Sequence, residues 1–373
     1  MDQFTRFVGL DDSKNSIDVA IAEARPDGEV RYYGTIPNTP EALLKLVRRL
    51  GPREKLLFAY EAGPCGYEIY RLLQSWGIAC WVVAPSKTPR RTGDRIKTDH
   101  RDAVALVRLL RAGELVPVWV PDEETEAMRD LTRGREDGKF AETRARQRLS
   151  AFLLRHGRRY PGATTWGGAH AKWVSEQTFA RPSQQVVLGE YSGAVEECTR
   201  RVRRLDEQIR DLVPLWSMAP VVKAYQAFRG VSMVVSSTVA SELGDIRRFD
   251  SPRELMGFVG LVPSLRATGL SSHSGGITRT GNGHVRRCLV EAALAYRHPA
   301  RMSNLLRVRQ RGQLPEVAAL AWKAQVRLCG RFRKLRARGK DYNKVVTAIA
   351  RELVGFLWAA AQIVAPGGVT TVH

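Results

Sequence analysis

Five cysteines in 373 residues, with no Cys-x-x-Cys pair among them, leave neither a disulfide framework nor a zinc-type ligand set to read. Cys65, Cys80, Cys198, Cys288 and Cys329 instead fit a reducing compartment. Long apolar runs are missing too. Residues 1–10 carry Asp2 and Arg6 and hold no signal-peptide core. The most apolar stretch, Leu353 to Ala365, is too short to span a bilayer and reads as a buried helix. No membrane partner is expected on these grounds, and a cytoplasmic, nucleoid-associated location is. Internal repeats and low-complexity tracts are absent. Acid is in short supply: 38 Asp+Glu stand against 59 Lys+Arg, a net charge of +21. A surplus that large repels itself unless a polyanion neutralises it, and nucleic acid is the obvious one. Composition alone also admits a ribosome-associated or membrane-surface protein.

What is present is a globular balance of 44% hydrophobic and 26% charged residues, in a chain long enough for two or three domains. Phe4–Leu10, Ser16–Ala22, Val30–Thr35, Lys55–Tyr60 and Ile78–Val83 read as strands. Helices are expected after Thr39-Pro40, over Gly66–Trp76 and over Asp99–Ala112, so residues 1–115 predict a mixed sheet flanked by helices. Residues 116–214 are charged and helical. Leu188, Tyr191, Val195, Cys198, Val202, Leu205, Ile209 and Leu212 follow the 3-4 spacing of a coiled-coil seam, which predicts a long helical hairpin with residues 157–183 at its tip. The same spacing fits a plain bundle arm. Residues 215–373 predict a mainly helical domain. Gly230–Leu243 fits either a packed helical pair or a backbone-gripping hairpin. The Gly/Ser-rich segment Gly257–Gly283 reads as loop, followed by helices over Val285–Tyr296, Glu316–Arg338 and Lys344–Ala361.

Four carboxylates stand out. Asp11 and Glu61 each follow an apolar strand at its carboxyl end, and Asp99 and Asp102 lie three residues apart on one helix face. Side chains at strand ends along one sheet edge converge, and clustered oxygen ligands suit Mg²⁺. Two such ions can stabilise both the attacking and the leaving oxygen of a phosphodiester displacement. By pattern alone Asp12, Asp18, Glu68 and Asp94 compete, and each acid taken singly fits a turn or a cap. His100 and His273 offer little.

The stretches Val8-Gly-Leu-Asp11, Tyr60-Glu61-Ala-Gly63 and Lys97-Thr-Asp99-His-Arg-Asp102-Ala resemble the DEDD transposases of the insertion-sequence one-ten family. So do Gly260-Leu-Val-Pro-Ser264, Gly275-Gly-Ile-Thr-Arg-Thr-Gly281-Asn-Gly-His-Val-Arg286-Arg287 and Ala321-Trp-Lys-Ala-Gln-Val-Arg327-Leu-Cys, in the same order over nearly the whole chain. The resemblance implies a ribonuclease H-like (RuvC-like) N-terminal domain whose acidic set is Asp11, Glu61, Asp99 and Asp102. It also implies a C-terminal transposase domain with a serine nucleophile, a structured guide RNA pairing with donor and target DNA, and homo-oligomers joined through the coiled coil. The expected partners are therefore DNA, at element ends and target, and that RNA.

The chain departs from the family at the nucleophile. Alignment on Pro263 and Gly275-Gly276-Ile277 puts Thr268, before Gly269, where the family has serine. A threonine hydroxyl can attack, although its β-branch restricts the approach. Ser271, Ser272 and Ser264 are neighbouring hydroxyls. Two other readings stay open: a catalytically impaired nucleic-acid-binding derivative, and a purely hydrolytic junction nuclease. Basic residues complete the picture. Arg286 and Arg287 begin one basic helix, and Lys323, Arg327, Arg331, Arg333 and Lys334 lie on another, with Trp322 and Phe332 interleaved. Lys87, Arg90, Arg91, Arg95 and Lys97 form a third cluster beside Asp99. Cations so arranged contact phosphates without reading sequence.

Overall fold

Period-two alternation builds the first unit, Met1–Val120. The computed structural model describes residues 3–25, 28–89, 99–268 and 271–364. Five strands form one sheet: β1 (Arg6–Asp12), β2 (Ser16–Glu23), β3 (Val30–Pro37), β4 (Leu56–Glu61) and β5 (Ala79–Val83). Their spatial order is β3-β2-β1-β4-β5. β1 to β3 are antiparallel neighbours, while β4 runs parallel to β1, and β5 parallel to β4. Between them come α1 (Pro40–Leu50) and α2 (Glu68–Ser75), and after β5 comes α3 (Asp99–Ala112). The Thr39 hydroxyl caps α1 by accepting from the Ala42 N–H at 3.3 Å, with Pro40 in the first turn. Val8, Leu10, Ile17, Val19, Phe58 and Tyr60 pack with α1 and α2; Phe7, Ala20, Ala22, Leu57 and Ala59 pack with α3. Three layers result, with the sheet in the middle.

In the second unit, Pro121–His373, α4 (Glu123–Arg155) and α6 (Pro182–Leu212) pack along each other, with the short α5 (Gly168–Ser175) between them in sequence. Of the apolar stripe on α6, Leu188, Val202 and Ile209 are buried, and Tyr191, Val195, Cys198 and Leu205 half-buried; Leu212 is exposed. Gly138 of α4 leaves room for Val202 and Leu205. The rest is helical: α7 (Ala219–Gln226), α8 (Met233–Leu243), α9 (Pro252–Phe258), α10 (Gly283–Ala293), α11 (Asn304–Gln310), α12 (Pro315–Ala337) and α13 (Tyr342–Val364). α13 has 23 residues, long and apolar enough by length and composition to cross a membrane. It packs against α7, α9, α10 and α12, burying Val346, Ile349, Leu353 and Leu357. The helix expected over Lys344–Ala361 falls short of it by two residues at the start and three at the end, and Arg351 and Glu352 interrupt only its apolar run. In the fold Glu352 receives Arg327 and Arg331 from α12.

One expectation is overturned. The segment read as loop, Gly257–Gly283, contains the end of α9 and a two-stranded antiparallel sheet, β6 (Pro263–Thr268) and β7 (Ser271–Ile277). Ser, Gly and His give β7 no apolar alternation to mark it in the sequence, and its pairing with β6 shows it instead. Gly281 sets where the chain goes next. Its φ is +69°, and a Cβ there would meet the Phe258 carbonyl oxygen at 1.8 Å.

Candidate active site

The sheet places two of the four acids by register. β1 and β4 are parallel neighbours with Leu10 opposite Tyr60, so Asp11 and Glu61 come next along each strand, at the same carboxyl edge. Phe7 of β1 and Leu57 and Ala59 of β4 belong to the α3 side, so the alternation puts Asp11 and Glu61 there as well.

The other two acids arrive with α3. Gly9 of β1 lets this helix lie close: a Cβ at Gly9 would stand 2.7 Å from the Ala103 carbonyl oxygen and 2.9 Å from the Val107 nitrogen. Toward its carboxyl end, Arg111 donates to the Gly28 carbonyl at 2.8 Å, beside the β2–β3 turn. Toward its amino end, His100 meets the Tyr32 ring edge-on at 4.2 Å between centroids. α3 therefore runs counter to β1, and its first turn, with Asp99 exposed and Asp102 half-buried, lies at the edge where β1 ends. Among the described residues, no three His, Cys, Asp or Glu side chains are gathered closely enough to hold a metal ion. The four acids share an edge and a face rather than a closed cage.

The competing acids separate by layer. Asp12 is one step past Asp11, on the side facing α1 and α2. Burial pushes its carboxyl up, partly offset by a hydrogen bond with Cys65, and Oδ2 is buried without a partner. Glu68 is exposed on α2, and Asp94 lies outside the described residues. Asp18 is different: it is the cross-strand partner of Asp11, on the α3 side, and nearly buried. It accepts hydrogen bonds from the Tyr32 hydroxyl and from Thr35, the latter at 3.0 Å. The Tyr32 hydroxyl is pushed up mainly by its bond to Asp18, with the charge of Asp99 adding to it. Sequence reasoning gave Asp18 no precedence; the signal was its place in the antiparallel register with Asp11.

Because α3 depends on Gly9 for its depth, Gly9→Ala should push the helix and its two acids off the edge. An overpacked core contact costs about 1–3 kcal/mol, and a misplacement on the order of 1 Å costs about a hundredfold in rate. Strand-cleavage assays beside a melting curve check this; a variant that cleaves at the wild-type rate would show that the depth of α3 does not matter.

In the second unit the hydroxyl candidates sit on the β6–β7 hairpin. Thr268 and Ser271 are opposite each other, the last described pair before the turn, and Ser272 pairs with Ala267 one step along. Gly269 lies outside the described residues. Several proposed phosphate contacts are committed elsewhere. Arg286 donates to the carbonyls of Val259 (2.8 Å) and Thr280 (3.0 Å). Arg287 pairs with Glu136 of α4, whose other oxygen meets His284 at 2.6 Å. Arg327 and Arg331 hold Glu352. Lys323, Arg333 and Lys334 are exposed on α12. Of the third basic cluster, Arg90, Arg91, Arg95 and Lys97 lie outside the described residues. Sequence reasoning also missed the buried Glu242 of α8. Arg133 reaches it twice, at 2.7 and 3.0 Å, and Asn282, the N-cap of α10, at 2.6 Å.

Comparison with known proteins finds matches to parts of both units. Residues 8–157 match a DEDD transposase family, and residues 222–307 match the transposase IS116/IS110/IS902 family. A putative transposase of Sinorhizobium fredii is 46% identical over 95% of this chain and 88% of its own length. The transposase for insertion sequence element IS1533 of Leptospira borgpetersenii is 30% identical over 91% of this chain and 99% of its own. On the matched sequence over both units, the chain belongs to the IS110 family of DEDD transposases and is an insertion-sequence DNA transposase.

Proposed function

We propose that this transposase cuts and rejoins DNA with an acidic site on its sheet edge and a hydroxyl nucleophile on its β6–β7 hairpin. The observation that carries the reading is the shared edge and face of Asp11 and Glu61, with the first turn of α3 bringing Asp99 and Asp102 to it. The strand order, three antiparallel strands followed by two parallel ones, suits a ribonuclease H-like, RuvC-like domain over residues 1–115. The donor set fits Mg²⁺, since all four groups offer only carboxylate oxygen. Bound there, the ion supplies charge neutralisation and a lowered pKa for the attacking oxygen. The chain's own part is to hold four acids at one edge: Gly9 sets the depth of α3, and Tyr32 holds its first turn through His100.

In residues 215–373, Thr268, with Ser271 and Ser272 as alternatives, provides the oxygen that forms a bond to phosphorus while the bridging DNA oxygen leaves and takes up a proton. Exposed Lys323, Arg333 and Lys334 suit backbone phosphates. A structured guide RNA, homo-oligomers formed through the α6 stripe in a coiled-coil region spanning 116–214, and a cytoplasmic, nucleoid-associated location complete the reading. The half-buried Tyr191, Val195, Cys198 and Leu205 leave apolar surface for such a contact.

The full chain incubated with Mg²⁺, guide RNA and labelled element ends tests the nucleophile. Thr268→Ala should lose the covalent protein–DNA adduct by about a hundredfold or more, and Thr268→Ser should restore or exceed it, because the β-branch is gone. An adduct surviving Thr268→Ala moves the role to Ser271 or Ser272. Free cut ends without an adduct would leave hydrolysis alone, and binding without cutting an impaired derivative.

A further inference from the structure

Where the α7–α8 turn, α11 and α12 meet, there is a cavity of about 330 Å³. Three guanidinium groups line it, from Arg229, Arg301 and Arg309, together with Leu305 and Leu306. Arg229 gives one N–H to the Pro299 carbonyl at 2.7 Å, and Arg309 one to the Val231 carbonyl at 3.1 Å. A guanidinium has five donors, so most of theirs remain. None of the three forms an ion pair with a described residue. Burial pushes Arg309 below its ordinary range, as expected of a cation short of a counter-charge.

The inner wall is Gln325 of α12, 1% exposed. Its Nε2 donates to the Arg301 carbonyl at 3.2 Å, and that bond decides which end of the amide points where. Oε1 is left buried with no hydrogen-bond partner. Interiors rarely leave such an acceptor unmet. Beside it Leu305 keeps 61% of its surface exposed, an apolar side chain at the mouth of a cationic cavity.

We propose that this cavity holds one unpaired nucleotide of a nucleic-acid strand. Its phosphate lies on Arg229, Arg301 and Arg309, its base lies against Leu305 and Leu306, and a base N–H donates to Gln325 Oε1. A DNA duplex backbone satisfies the arginines but brings no donor for the buried oxygen. Every base carries an N–H on its pairing edge, and in a duplex that N–H is taken by the partner base; the amino hydrogens left in the grooves belong to stacked bases that do not enter a cavity. The volume is also that of a small-molecule pocket rather than of a surface that a duplex lies across. The proposal rests on the chain acting on nucleic acid. It does not depend on the carboxylates or on Thr268.

Fluorescence anisotropy with the full chain tests it, using a short single-stranded DNA, the same sequence as RNA, its blunt duplex, and an abasic strand of equal length. Arg301→Glu, at an exposed side chain, should weaken the single strands about tenfold or more and the duplex by no more than about threefold. Gln325→Met should weaken the base-bearing strands about fivefold or more and leave the abasic strand as in wild type. Tighter binding of the RNA assigns the nucleotide to a guide, and tighter binding of the DNA to an opened element strand. Equal weakening of single strand and duplex by Arg301→Glu, or wild-type discrimination of base-bearing from abasic strands by Gln325→Met, overturns the proposal. If Gln325→Met does not fold, Arg301→Glu alone decides: its weakening must be confined to the single strands and spare the duplex. Duplex binding retained by the variants shows that a failure concerns this cavity and not the transposase reading.

Discussion

Glu61→Gln is expected to reduce strand cleavage by about a thousandfold or more, roughly the 4 kcal/mol that one charged donor supplies at a phosphodiester transition state. Its effect on the empty fold should run the other way. Asp11, Glu61, Asp18 and the first turn of α3 set like charges around one sheet edge. Removing one at constant shape relieves repulsion, so the first unit should melt no lower than wild type without divalent ions. Adding Mg²⁺ should then raise the wild-type midpoint, because a ligand at about a hundred times its Kd stabilises the folded state by about 2.7 kcal/mol. The same addition should move Glu61→Gln much less. Glu68→Gln, exposed on α2 in the opposite layer, is the control and should leave cleavage and the Mg²⁺ shift unchanged. Differential scanning fluorimetry beside a cleavage assay gives both readouts. An undiminished Mg²⁺ shift in Glu61→Gln would remove Glu61 from the ligand set even if cleavage were lost.

How much of this could be read from residues alone depends on what held each element. β1, β2 and β4 are buried on both faces, and their apolar runs mark them without ambiguity. Their carboxyl ends are legible to within two residues, since β1 runs on to Asp12 and β4 to Glu61; that brings Asp11 and Glu61 to an edge without setting Asp11 above Asp12. The partner strands could not. Alternation says that Asp18 shares a face with Ala20, but not that β2 folds back to set it opposite Asp11. The hairpin carrying Thr268 escaped because β7 is Ser, Gly and His up to Ile277, with no apolar period to mark it. α8 is legible as a helix over Ser236–Leu243, and only its burial escapes. Ser236, Ser237, Thr238 and Ser241 look like surface, yet all are buried. Ser236 and Ser237 return their hydroxyls to the carbonyls of Ser232 and Met233, at 2.9 and 2.8 Å, so the helix enters the core with those groups already satisfied. Composition shows hydroxyls in both cases; only the fold shows what they bond to.

The same buried helix carries the largest expected stability effect. Glu242 is 3% exposed, and Arg133, Arg129 and Asn282 all converge on it. Burial alone would raise its carboxyl. The hydrogen bonds from Arg133 and Asn282, with the charges of Arg133 and Arg129, outweigh that and hold it below the ordinary glutamate range. Glu242→Leu strands Arg129, which also bonds the Ser241 carbonyl at 3.1 Å, inside the second unit. Breaking a buried pair from one side costs about 3–5 kcal/mol, and the lower end applies because Arg133 is partly solvated. For a unit of this size about 3 kcal/mol is a fall in midpoint on the order of 10 °C. Glu242→Gln keeps the shape and loses the charge, so it should fall by less. A carboxylate depressed by folding stabilises the fold above its unfolded pKa, near about 4.3. That contribution disappears as pH falls through the lower folded value. The gap between wild type and Glu242→Gln should therefore be full at neutral pH and close only in acid below the ordinary glutamate range. The consequence reaches DNA handling, because Asn282 caps α10 while it holds Glu242. Arg286 leaves that helix to bind the carbonyls of Val259 and Thr280 on either side of the β6–β7 hairpin. Loss of Glu242 should loosen the hairpin's anchorage as well as the core, and adduct formation by Glu242→Gln should fall at temperatures where the variant is still folded. Urea titration at two pH values, with adduct yield measured in parallel, separates the two effects. A Glu242→Leu variant melting within about 2 °C of wild type at neutral pH would show that the ion cluster contributes nothing to the fold.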